Sequence, residues 1–197
     1  METNYEYQKY FMDLSVSKSN YDDIITFSKN MINNYDELSP ITKIVENPMN
    51  GKTTLMRLLR RISNINIIHI GNSGFDMYTR HKLNYLTVPT CIVVDDPTHD
   101  FFQVNYALMT KIIDGSFQMR RIYSNELSTI KIVVMTNYDD MIIDEILSSK
   151  IKTIKMNSRF TTNPVPGYSK LMNWHIEDDL LQNDQDLMNL KEFILAA

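Results

Sequence analysis

The stretch Ile41-Thr42-Lys43-Ile44-Val45-Glu46-Asn47-Pro48-Met49-Asn50-Gly51-Lys52-Thr53-Thr54 decides how the chain is read. Its first five residues form a β-branched run of strand length. Behind it, Thr53–Ile62 spaces apolar residues at three and four, the period of a helix packed by one face. A strand is thus expected to pass through a tight loop into a helix N-terminus at Asn50-Gly51-Lys52-Thr53. Backbone N–H groups of such a loop converge on phosphate oxygens, and the helix end adds its positive dipole. Lys52 then reaches the outer phosphates of ATP and the Thr53 hydroxyl binds Mg²⁺, with Asn50, Gly51 and Thr54 completing the cradle. The pattern calls for a glycine where this chain has Glu46, so a carboxylate faces the polyphosphate unless the loop bends it outward.

Two more apolar runs end in polar residues. Thr90-Cys91-Ile92-Val93-Val94 closes on Asp95 and Asp96, and Ile132-Val133-Val134-Met135-Thr136 closes on Asn137. Open α/β sheets bind ligands at the carboxyl ends of their strands, so both groups are expected beside the phosphate loop. One carboxylate there holds the Mg²⁺ shell and its neighbour orients or deprotonates water, while an Asn can bond both the γ-phosphate and that water. Taken singly, two turn aspartates before Pro97 and a turn asparagine are ordinary. In this order behind Lys52 they read as the second and third nucleotide motifs.

The rest of the chain supports an α/β class. Ile41–Val45, Ile65–Ile70, Cys91–Val94 and Ile130–Met135 read as buried strands, with residues 151–156 as one more. Thr53–Ile62, Phe101–Ile113 and Asp140–Ser149 carry helical periodicity between them, an alternation that predicts a mainly parallel sheet with crossover helices. Residues 1–40 read as a helical N-terminal region and 41–160 as the core. In 161–197, a Pro/Gly loop leads into a helical segment over about 173–195.

Composition removes several alternatives. The 197 residues carry 20 Lys+Arg against 24 Asp+Glu, a net charge of −4, so any nucleic-acid binding must come from a local patch. One cysteine, Cys91, excludes a disulfide framework and a cysteine-rich zinc site, and the four histidines show no metal-ligand spacing. No signal peptide and no apolar run of membrane-spanning length is present, so a soluble intracellular protein with no membrane partner is expected.

Over roughly residues 41–180 the sequence resembles the superfamily 3 helicases, the viral replication branch of the AAA+ P-loop ATPases. The likeness runs through Asn50-Gly51-Lys52-Thr53, Asp95-Asp96 and Asn137. It is strengthened by Leu108–Gly115 followed by Met119-Arg120-Arg121, similar to the helix and DNA-binding hairpin of that family. Within it the chain looks most like the papillomavirus helicase domain, with an Ile-Ile-His-Ile strand before an Asn-Ser loop and Asn173-Trp174 near the end. The Rep proteins of circular single-stranded DNA viruses are also similar. The resemblance implies a hexameric ring that hydrolyses ATP between subunits and draws single-stranded nucleic acid, DNA foremost, through its centre. It places Arg120 and Arg121 on the strand and Lys150 where the family has an arginine finger reaching into the neighbouring subunit.

Lysine brings the charge of that finger without its planar fork, and Arg159 is a possible substitute. Glu46 and Lys150 keep open a second class, a binding or assembly module that has lost turnover; packaging-type and RNA-directed ATPases share the same motifs. The family's origin-binding or nicking domain has no counterpart in the roughly 40 residues before the core, which could form part of an oligomerisation collar. A stand-alone motor would need a separate origin-binding protein.

Overall fold

Parallel strands cannot be joined by a tight turn, so each returns to the sheet through a crossover. The computed structural model describes residues 2–45, 51–70, 89–116, 118–120, 127–157, 163 and 165–197. The chain divides into two units: Met1–Asp36 with Glu46–Asn64 and Ile154–Ala197, and Glu37–Val45 with Ile65–Thr153.

The second unit is organised by its strands. β1 (Ile41–Val45) is buried at every position, and β3 (Thr90–Asp95) is buried through Val94, as fits central strands of a parallel sheet. β2 (Asn66–Ile70) runs parallel to β3. β5 (Leu127–Thr136) runs parallel to both β3 and β1. With β6 (Lys152–Lys155) the order is β2-β3-β5-β1-β6, and β4 (Gln118–Arg120) pairs antiparallel with β5. The fold is therefore an α/β parallel sheet flanked by helices. Ile41, Ile92, Val94, Ile130, Ile132 and Val134 share a core with Phe102, Met109, Ile112 and Leu147. The last four come from α4 (Phe101–Val104), α5 (Tyr106–Ile113) and α6 (Glu145–Ser148).

The first unit is helical. α1 (Glu2–Leu14), α2 (Lys18–Asn33), α3 (Lys52–Ile62), α7 (Trp174–Gln182) and α8 (Asp184–Ala196) bury one face each. Phe193 of α8 meets Tyr7 and Phe11 of α1 at ring separations of 5.7 and 6.1 Å. α2 opens with a reciprocal cap: the Ser17 hydroxyl accepts from the Asn20 N–H, and Asn20 Oδ1 accepts from the Val16 N–H. The Ser169 N–H donates to Asp13 and the Lys170 N–H to Glu6, which ties the C-terminal segment to α1.

Three expected helices are shorter or broken, each at a polar side chain that competes for backbone groups. The run 101–113 divides at Asn105, whose side-chain amide donates to the Phe101 carbonyl at 2.9 Å. The run 140–149 keeps only α6, because Asp144 caps it by accepting from the Leu147 N–H at 2.7 Å, while the Ile142 N–H is committed to the His99 carbonyl. The terminal segment divides at Asn183, which caps α8 through the Asp186 N–H.

On α7, Glu177 is only 4% exposed. Burial first, then the charge of Asp178, push its carboxyl up to about 8, against the pull of Arg57. The folded state therefore holds a proton that the unfolded chain, with an ordinary value of 4.5, releases, and stability falls as pH rises between the two. Glu177→Gln should raise the unfolding free energy at pH 8 by on the order of 2 kcal/mol, and the gain should vanish near about pH 4. Paired denaturation curves across that range check both the size and the sign.

Candidate functional site

The register of the second unit levels three strand ends. Val45 lies opposite Thr136, and Met135 lies opposite Asp95, so β1, β5 and β3 release the chain at one edge of the sheet. The strand that leads into the phosphate-loop sequence therefore ends at the edge that carries Asp95, Asp96 and Asn137. Asp95 is half-buried and Asp96 exposed. Asp96 has φ 46, left-handed backbone that is rare outside glycine, and its N–H donates to the Met135 carbonyl at 3.0 Å. Asn137 follows β5 and donates from Nδ2 to Asp96 Oδ1 at 3.3 Å. The fully buried Thr136 turns the chain there, its hydroxyl accepting from the Tyr138 N–H at 2.9 Å.

Four residues that sequence reasoning passed over complete this edge. Lys43, in the middle of β1 and 6% exposed, donates from Nζ to the Asp139 carbonyl at 3.4 Å. His99 Nε2 lies 3.4 Å from Asp140 Oδ1, and the His99 ring meets the Tyr138 ring edge-on at 5.5 Å. A signal did exist for Lys43, a cation inside an otherwise β-branched run. His99, Tyr138 and Asp140 carry no pattern, because only the folded loops bring them together.

The start of α3 belongs to the first unit. Gly51 precedes it at φ 92, a conformation that strains any residue with a Cβ, and as the N-cap it makes no side-chain hydrogen bond to the helix. Lys52 is 6% exposed, Thr53 exposed and Thr54 half-buried. Glu46 and Asn50 lie outside the described residues.

Among the described residues no group of three or more His, Cys, Asp or Glu could hold a metal ion by itself. Mg²⁺ commonly uses one or two protein oxygens together with substrate phosphates, and a strand-end carboxylate such as Asp95 is an oxygen donor of that kind.

The other expected residues are placed as follows. Lys150 sits exposed in the turn between α6 and β6, its Nζ 4.0 Å from Asp114 of the same chain. Arg120 is the last residue of β4, opposite Leu127 on an antiparallel ribbon that follows α5. The Arg120 side chain, Arg121 and Arg159 lie outside the described residues. Among the described residues no helix is long and apolar enough to cross a membrane.

No family model and no curated protein sequence matches the chain. Solved structures do match. The apo structure of the NrS-1 C terminal region superposes with a TM-score of 0.60 at 14% identity, over 98% of this chain and 45% of that one. JCV helicase bound to a thiazolopyridine compound matches with a TM-score of 0.54 at 16% identity, over 96% of this chain and 54% of that one. A second JCV helicase structure gives 0.53 at 14%, over 100% and 59%. The chain shares its fold with these solved chains, JCV helicase among them. It spans about half the length of the solved chains it matches.

Within this helicase-like fold the left-handed Asp96 gives a stability test. Asp96→Gly and Asp96→Asn should fold as stably as the parent, since both tolerate positive φ. Asp96→Val should lose about 1–3 kcal/mol to backbone strain. Urea midpoints of the three variants decide it.

Proposed function

We propose that the chain is the motor domain of a viral-type, ATP-dependent nucleic-acid helicase acting in DNA replication. The observation that carries this reading is the levelled sheet edge, where the strand entering the phosphate-loop sequence ends beside Asp95, Asp96 and the Asn137–Asp96 hydrogen bond. The left-handed Gly51 at the start of α3 supports it. The likeness of fold to JCV helicase agrees with it.

In this reading Asn50, Gly51, Lys52, Thr53 and Thr54 hold the phosphates of ATP, and Thr53 and Asp95 hold Mg²⁺. When bound, the metal supplies positive field across the phosphate oxygens. Asp96 orients water and accepts its proton. Asn137, donating to Asp96, fixes that carboxylate and responds to loss of the outer phosphate. Lys150 brings positive charge into the site of a neighbouring subunit in a hexameric ring, more weakly than an arginine fork would. Arg120 and Arg121 grip the phosphates of single-stranded DNA. A separate origin-binding protein delivers the ring to its start site.

Steady-state ATP hydrolysis tests the core of the proposal. The chain should turn over ATP faster with single-stranded DNA; EDTA, Lys52→Ala and Asp95→Asn should each lower the rate at least 100-fold. Absence of ATP binding would remove the reading, and binding without turnover would move it to an assembly module. The grip has its own measure. Arg120→Ala with Arg121→Ala should flatten the slope of log affinity against log salt by about 1.4 for single-stranded DNA, the counterion release of two phosphate contacts. A slope unchanged in the double variant would take both arginines off the strand.

A further inference from the structure

The loop that carries Asn137 is tied on two sides. From β1, the buried Lys43 reaches over the sheet edge to the Asp139 carbonyl at 3.4 Å. From the loop after β3, His99 makes three contacts with the same segment. Its Nε2 lies 3.4 Å from Asp140 Oδ1, its ring meets Tyr138 edge-on at 5.5 Å, and its carbonyl accepts from the Ile142 N–H at 3.1 Å. Asn137 spans the same gap, its side-chain amide donating to Asp96 at 3.3 Å. The contacts of His99 run parallel to that bond and lie within five residues of it in both segments.

We propose that His99 is a positioning residue: it clasps residues 137–140 to the loop after β3 and so holds the Asn137 amide on Asp96. Lys43 anchors the far side of the same loop to the strand that enters the phosphate-loop sequence, so Asn137 is strung between two supports. His99 touches neither nucleotide nor water. It acts through Tyr138 and Asp140 on the direction of one amide. The consequence for turnover rests on the proposed ATP hydrolysis, but the clasp does not.

The experiment uses the full chain and two readouts. The first is the Asn137 side-chain amide resonance in a ¹H–¹⁵N spectrum, identified by its loss in Asn137→Asp and its displacement in Asp96→Asn. In His99→Ala it should move toward the position of a solvent-exposed asparagine, with the amide pattern of β1, β3 and β5 preserved. His99→Gln, whose amide nitrogen reaches about where Nε2 stands and keeps a donor toward Asp140, should restore part of the shift. The second readout is steady-state ATP hydrolysis, where His99→Ala should lower kcat about tenfold and leave KM within twofold. An Asn137 resonance unmoved in His99→Ala overturns the clasp, and so does a change in KM alone. A chain that hydrolyses no ATP removes the helicase reading, and the resonance still decides the clasp. If His99→Ala disturbs the sheet amides, Asp140→Asn and Tyr138→Leu, which release the ring from the other side, must produce the same displacement for the proposal to stand.

Discussion

The parallel pairing of β5 with β1 on one side and β3 on the other sets where the strand-end motifs of this chain lie. A parallel register fixes which residues are level, and here it sets Val45 opposite Thr136 and Asp95 opposite Met135. Strand ends separated by long crossovers in sequence become neighbours at one sheet edge. The register is held because a slip of one residue would turn Ile41, Ile92, Val94, Ile132 and Val134 away from the core they share with Phe102 and Met109. The hydrophobic pattern of the strands thus specifies the geometry of the polar groups beyond their ends.

That division explains what could be read in advance. β1 spans the residues its β-branched run marked out, and β3 and β5 extend theirs by a few residues, because burial on a central strand is written directly in composition. The start of α3 was legible for the same reason, from an apolar face of clear period. The breaks at Asn105 and Asn183 and the late start of α6 were not. Each depends on one side chain choosing a backbone partner, and the same residue types occur inside helices without breaking them, as Asn30 does within α2. At the candidate site, Asp95, Asp96 and Asn137 were legible because strand-end position is periodic information. His99, Tyr138 and Asp140 lie in loops, where sequence spacing says nothing about which loop faces which.

Asp96 carries the clearest local cost in this arrangement. An aspartate at φ 46 gives up backbone energy of on the order of 1 kcal/mol relative to glycine. In return its carboxylate turns toward Asn137, and its N–H closes onto the Met135 carbonyl of the adjacent strand. Strained backbone persists only where the surroundings over-determine it. Here they do: one bond from the main chain, one from the side chain, and a buried Pro97 immediately behind.

The charge at this edge constrains the ligand as well as the fold. Asp95, Asp96 and Asp140 stand on it against Lys43 and His99, in a chain whose net charge is already −4. Carboxylates at such density repel a bare polyphosphate, and screening by salt weakens but does not reverse the sign. A sheet edge of this charge disfavours a bare polyphosphate and favours an anion that carries a divalent cation, because the cation converts neighbouring carboxylates from a barrier into ligands. Lysines alone would serve a site meant for free phosphate.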